Sequence, residues 1–171
     1  MKKLALVLAI VFAGIMSANA QSSWWIGGAA GFGIQDNRTE VMVAPEIGYN
    51  INGDWTIASG LKYQFDQSDV AGLGKVTVNR LIASPYVRYA CGTIGNKKFT
   101  LFLDLVYDID LLSTQMWEVG LKPGIAWKAT DRFTAAFRFG FLGYDHYFER
   151  GKGIFMDCSM GTGSVGFYYT L

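Results

Sequence analysis

The stretch that decides the fold runs from residue 99 to residue 109 and reads FTLFLDLVYDI. Every second side chain from Phe99 to Ile109 is large and apolar, whereas the positions between them include Asp104 and Asp108. A period of two is that of a β-strand, in which successive side chains point to opposite faces. The segment is therefore predicted to be a strand with one apolar face and one face that carries charge.

The same alternation continues through most of the chain and is interrupted by polar or Gly-containing segments. It predicts eight strands, at residues 24–35, 40–51, 55–66, 76–90, 98–109, 116–128, 132–145 and 158–171. The connections alternate between mostly short turns (52–54, 91–97, 129–131) and segments that tend to be longer (36–39, 67–75, 110–115, 146–157). Short turns at one end and longer loops at the other are typical of membrane barrels. The predicted fold is therefore all-β, an eight-stranded antiparallel up-and-down transmembrane β-barrel.

The apolar face is predicted to be the outside of this barrel. A small barrel has room inside for small side chains and a few long ones. A charge facing mid-membrane costs about 2–4 kcal/mol. The central charges are therefore expected to face the lumen, where five basic and four acidic residues nearly cancel: Glu46, Lys62, Arg80, Arg88, Asp104, Asp108, Glu118, Lys122 and Arg138. Such an interior is expected to be a plug rather than a pore lining.

Pairing the hairpins through their short turns predicts which of these charges meet. Asp104 is expected near Lys122, and Lys122 opposite Arg138, with Glu46 approaching from across the barrel. A second layer nearer the loops is predicted to hold an Arg80–Asp108 pair with Glu118 beside it.

Aromatic residues concentrate at two levels, as at the two interfaces of a bilayer. Those near the turn end are Trp24, Tyr49, Trp55, Tyr89, Phe99, Trp127, Phe133 and Tyr169. Those near the loop end are Tyr63, Phe65, Tyr107, Trp117 and Phe141. A soluble core would explain any single ring among them, but it explains two belts poorly.

Residues 1–20 are predicted to be a secretory signal peptide, and residues 21–171 the barrel domain. Lys2 and Lys3 precede an apolar run from Leu4 to Met16, and residues 17–20 end in a small-x-small pattern. Without those two lysines, 13 basic residues remain against 14 acidic ones. This balance gives no electrostatic reason to expect nucleic acid as a partner.

The two cysteines, Cys91 and Cys158, are predicted at opposite ends of the barrel. The hydrocarbon core of a bilayer is about 30 Å thick, whereas the Cα atoms of a disulfide lie within about 7 Å of each other. The two thiols are therefore expected not to pair with each other.

With this architecture, the chain resembles the small eight-stranded outer-membrane barrels of the OmpX type and of the OmpA membrane domain. The resemblance covers residues 21–171, and the alternating segment 165–171 is similar to the C-terminal assembly signal of that family, although it ends in Leu171 where Phe is usual. It implies insertion into the bacterial outer membrane by the assembly machinery, lipid as a neighbour, and loops that meet an unknown extracellular ligand. It implies no shared activity.

Two motifs invite a chemical interpretation. Residues 161–166 match G-x-G-x-x-G, but a strand rather than a helix is predicted to follow them, which excludes a dinucleotide site. His146, the only histidine, lies in a predicted loop at the same end as Ser68 and Ser113. A Ser–His pair would require hydrogen-bond contact, and a solvated loop histidine is the favoured interpretation.

The favoured function is that of an integral outer-membrane protein with a structural or surface-interaction role. No catalytic residue, cofactor or metal site is predicted. One alternative is a lipid A acyltransferase or deacylase that uses His146. The other is a soluble periplasmic lipid-binding barrel.

Overall fold

The computed structural model describes residues 23–35, 38–70, 74–96, 98–113, 115–148, 151–158 and 163–171. The predicted signal peptide therefore lies outside the described residues. Within the described part, strands, turns and bends account for the secondary structure. No helix there is long and apolar enough to cross a membrane.

Ten strand segments form one antiparallel sheet. They are β1 (Trp24–Gln35), β2 (Arg38–Asn50), β3 (Trp55–Val70), β4 (Gly74–Ile94), β5 (Phe99–Asp110), β6 (Trp117–Lys128), β7 (Phe133–Arg138), β8 (Phe141–His146), β9 (Lys152–Asp157) and β10 (Ser164–Thr170).

These segments build eight barrel strands, because β7 with β8, and β9 with β10, each form one strand of the wall. Strand β6 pairs with β7 through its second half and with β8 through its first half. In the same way, β10 pairs with β7 and β9 pairs with β8. The sheet closes through β1–β10 and β5–β6 pairing. The predicted fold of a closed, eight-stranded, antiparallel up-and-down barrel is confirmed.

The seventh barrel strand is broken at Gly140, which corrects one predicted interface residue. Gly140 has a φ of 68°, in the left-handed region. The alternation therefore shifts by one residue across the break, so that Phe137 faces outward while Phe141 faces inward. Phe141 is 2% exposed, and its predicted place among the outward aromatic residues is wrong.

The strands at the loop end are longer than predicted. Half of the predicted loop 146–157 is strand β9, whereas the last segment, predicted from residue 158, begins at Ser164. Strands β3 and β4 likewise extend through most of the predicted loop 67–75. Residues 67–69 are all polar, whereas Ile154, Phe155 and Met156 place apolar side chains on both faces of β9. Neither segment therefore shows the contrast between faces that marks a strand.

Aromatic side chains on the inward face pack against glycines of neighbouring strands. Trp25, Phe102 and Tyr168 are buried in one cluster. A Cβ atom at Gly48 would lie 2.2 Å from the Trp25 ring, and one at Gly124 would lie 2.2 Å from the Phe102 ring. The interior is thus filled by rings for which glycines on the adjacent strand leave space.

Both cysteines have free, exposed thiols. Cys91 lies at a bulge of β4, between Ala90 and Gly92, where the pairing with β5 shifts register. Cys158 follows β9 rather than opening the last strand. The expectation that the two thiols do not pair with each other is confirmed.

Candidate functional site

Two layers of paired charges occupy the lumen, and the layer nearer the turn end is centred on Arg138. Arg138 donates two hydrogen bonds of 3.0 Å to the carboxylate of Glu46 and one of 2.8 Å to Asp104 Oδ2. Arg88 donates to both Asp104 oxygens, at 2.7 and 2.8 Å. The Tyr86 hydroxyl donates to Glu46 Oε2 at 2.6 Å. These five residues, from β2, β4, β5 and β7, are called the inner layer.

The inner layer is electrically balanced and buried. Its two guanidinium groups meet two carboxylates, so the formal charges cancel. Asp104 is fully buried, and the Arg88 guanidinium carbon lies 3.8 Å from the centroid of the Phe102 ring. Paired arginine and carboxylate groups with several hydrogen bonds each are the form in which charge is tolerated in an interior. The four strands are therefore tied together across the lumen.

The outer layer lies nearer the loop end and is centred on Asp108. Lys62 Nζ donates to Asp108 Oδ2 at 2.5 Å, and Lys122 Nζ donates to the same oxygen at 3.1 Å. Lys122 also donates to Glu118 Oε1 at 2.8 Å, and the Ser84 hydroxyl donates to Asp108 Oδ1. Two ammonium groups again meet two carboxylates. All nine lumen charges proposed from the sequence lie on inward faces, and eight of them belong to these two layers.

The structure corrects the predicted partners within the lumen. Asp104 and Lys122 lie directly opposite each other on β5 and β6, but Asp104 accepts from Arg88 and Arg138 instead. The planar guanidinium fork matches a carboxylate better than an ammonium does. Lys122 reaches along the lumen to the outer layer. Arg138 lies opposite Gly124 rather than Lys122, although Glu46 does approach it from across the barrel as predicted.

Arg80, the ninth charge, binds the turn that follows β8 at the loop end. The predicted Arg80–Asp108 pair is wrong, since Arg80 Nη1 donates to the backbone oxygen of Phe148 at 2.5 Å. The guanidinium also lies 5.5 Å from the centroid of the Phe148 ring. Phe148 N donates to the buried Asp145 carboxylate at 2.6 Å. Phe148 is 2% exposed, so the turn after β8 folds inward.

The outward face of the barrel is apolar over most of its height. Large exposed side chains on this face include Trp24, Val43, Trp55, Leu61, Leu101, Leu105, Leu142 and Phe167. Rings also pair across strands near the turn end: Trp24 lies 5.1 Å from Tyr49, and Trp55 lies 4.8 Å from Tyr89, between centroids.

Near the loop end, the outward aromatic residues gather around Trp117 on β6. The His146 ring stacks on Trp117 at 5.3 Å with an interplanar angle of 12°. Tyr107 and Tyr144 contact Trp117 at 6.1 and 5.6 Å, and Tyr147 meets His146 edge-on at 5.2 Å. His146 therefore lies in strand β8 among aromatic rings, and its predicted position in a loop is wrong.

The inward aromatic residues that support the inner layer were missed by sequence reasoning. Trp25, Phe102 and Tyr168 each lie directly opposite a glycine: Gly48, Gly124 and Gly27, respectively. The signal that could have identified these rings as inward is a glycine directly opposite each of them on the neighbouring strand. It requires the strand register, which the sequence pattern alone does not provide.

No protein-family model matches the chain, and a search of curated proteins found no match. Within the described part of the chain, no group of three His, Cys, Asp or Glu residues could hold a metal ion. Of the glycine motif, residues 163–166 are described, and Ser164 to Gly166 belong to strand β10.

Proposed function

We propose that this chain is an integral protein of the bacterial outer membrane, with a plugged lumen and a surface-interaction role. The polarity of the barrel carries the proposal. Asp104, Asp108 and Glu118 are at most 1% exposed inside, whereas Leu105, Leu142 and Phe167 are 47–54% exposed outside. Lipid is the solvent that suits such an outer face. Insertion would use the outer-membrane assembly machinery.

The same polarity argues against a soluble lipid-binding barrel. A soluble barrel that carries a lipid needs an apolar lumen and a polar outer surface. Here the lumen holds two layers of ion pairs, and the outer surface carries the large apolar side chains.

The two layers also favour a plug over a pore. Arg138 joins Glu46 and Asp104 from three different strands, and Arg80 holds the buried Phe148 at the loop end. An ion that passed through would have to separate these pairs, which are held by several short hydrogen bonds each.

The proposed surface-interaction role rests on the β3–β4 hairpin, which extends beyond β5 at the loop end. Pairing of β4 with β5 begins at Ile82, so residues 74–80 of β4 pair with β3 alone within the described chain. Residues 74–79 are exposed on both faces. An unpaired strand edge of this kind offers backbone groups to an extended segment of another protein.

A lipid-modifying enzyme is the alternative proposal. Its catalytic histidine would be His146, the only histidine of the chain. Such a mechanism needs a serine hydroxyl at the imidazole. Among the described residues, the contacts of the His146 ring are those with Trp117, Tyr144 and Tyr147. A change in lipid A species on mutation of His146 would favour the enzyme over the surface role.

An epitope tag inserted at residues 71–73, between β3 and β4, is expected to bind antibody on intact cells. The same tag at Gly53, in the turn between β2 and β3, is the matched control, and antibody should reach it only after the outer membrane is permeabilised. The reverse labelling would show that the proposed orientation is wrong. Equal labelling of both tags on intact cells would contradict insertion.

A further inference from the structure

The outward surface formed by β5, β6, β8 and β9 carries one charge among its described residues. The side chains that point outward from these strands are otherwise apolar, aromatic or, at His146, imidazole. The exception is Lys152, at the start of β9. A lone ammonium on a lipid-facing wall is unfavourable unless it meets water or an anion. We therefore expect the Lys152 ammonium to have such a partner.

Lys152 lies directly opposite His146 in the β8–β9 pairing. Side chains at directly opposed positions of an antiparallel pair have Cβ atoms about 4.5–5.5 Å apart. Lys152 is exposed and His146 is partly exposed. An ammonium donor and an imidazole donor therefore share one small area of the outer surface.

The aromatic rings around His146 fix its orientation. Trp117 covers one face of the imidazole at 5.3 Å, with the ring planes within 12° of each other. Tyr147 contacts it edge-on, at 76°, and is 59% exposed, with a positive φ of 57°. Stacking occupies the face of the imidazole but not the ring edge, where the nitrogen donors lie.

We propose that Lys152 and His146 bind the phosphate group of a membrane lipid, with Trp117 holding the imidazole in place. The inference rests on the proposed function, which puts Trp117 and Tyr107 at the headgroup level of the outer interface. Phosphate is the anion available at that depth, and ammonium and N–H donors are its usual ligands. Aromatic residues at a membrane interface account for the rings. They do not explain why a lysine lies opposite the histidine.

The test is native mass spectrometry of the folded barrel, released from detergent after incubation with a lipid. The lipid is either phosphatidic acid or a diacylglycerol with the same acyl chains, so that the two differ only in the phosphate group. The wild-type chain is expected to retain phosphatidic acid about tenfold more tightly, the effect of one charge-assisted hydrogen bond. Lys152→Gln should abolish most of this preference. His146→Phe keeps a ring on Trp117 but removes the donors, so it should weaken binding several-fold.

Lys75→Gln is the matched control, because it removes the same charge from the projecting β3–β4 hairpin. The inference would be overturned if Lys75→Gln lost as much of the preference for phosphatidic acid as Lys152→Gln does, or if Lys152→Gln kept that preference. It would also be overturned if the wild-type chain retained diacylglycerol as tightly as phosphatidic acid. So would binding of inorganic phosphate as tight as that of phosphatidic acid. If the chain is found in the outer-membrane fraction without a phosphate preference, only this inference fails. Its absence from that fraction would contradict the proposed function itself.

Discussion

Replacing Asp104 with Ala is expected to lower the free energy of unfolding by about 3–5 kcal/mol, since it leaves buried charge without a partner. Asp104 accepts from Arg88 and Arg138 and is fully buried. Arg138 keeps Glu46 as a partner, whereas Arg88 loses both hydrogen bonds to a carboxylate. Urea unfolding of the barrel in detergent or lipid measures the loss.

A double-mutant cycle with Arg88→Ala separates charge pairing from simple loss of packing. In the double variant Arg138 still meets Glu46, so the formal charges of the inner layer balance again. The double variant is therefore expected to lose less free energy of unfolding than the two single variants lose together. Asp131→Ala is the control, because its exposed pair with Lys128 is screened by water and should contribute little to stability. Strict additivity at Asp104 and Arg88 would mean that water screens the lumen, and the plug would give way to a pore.

Replacing Gly143 with Ala is expected to lower the free energy of unfolding by about 1–3 kcal/mol or more, because the added methyl group overpacks the site. A Cβ atom there would lie 2.2 Å from the backbone oxygen of Val119 and 2.4 Å from the Cα atom of Gly120. Backbone on the neighbouring strand cannot move aside as a flexible side chain can.

Gly92→Ala is the matched control for this substitution. Gly92 also lies within a strand, at the bulge of β4, and a Cβ atom there would meet nothing within 4 Å. Its effect on urea unfolding should stay within about 0.5 kcal/mol. Equal effects at Gly143 and Gly92 would contradict the close approach of β6 and β8.

The alternation of residues 99–109 was sufficient to predict the strand, its two faces and, repeated along the chain, the barrel. It was not sufficient to predict the partners of Arg138. The pairing of β7 with β6 starts with Thr134 opposite Lys128, so that Arg138 lies opposite Gly124 and not opposite Lys122. The turn between β6 and β7 sets this register, and a period-two pattern does not fix it. The left-handed Gly140 also leaves no mark in that pattern, which is why Phe141 was expected on the outer face.

The extent of the strands at the loop end was underestimated for a different physical reason. Alternation identifies a strand only where one face is apolar and the other polar. Residues 67–69 at the end of β3 are all polar, so hydrogen bonding to β4 defines this part of the strand and side-chain contrast does not. Strand β9 was missed in a segment that had been assigned to a loop because it contains glycine and polar residues.

The central proposal, a closed barrel that spans the outer membrane, is tested most directly by gel migration of the detergent-extracted protein with and without heating. A folded barrel is expected to stay compact in the unheated sample and to migrate faster than the heated one, while both come from the outer-membrane fraction. Identical migration of the two samples, or release of the chain from the membrane pellet without detergent, would contradict the proposal.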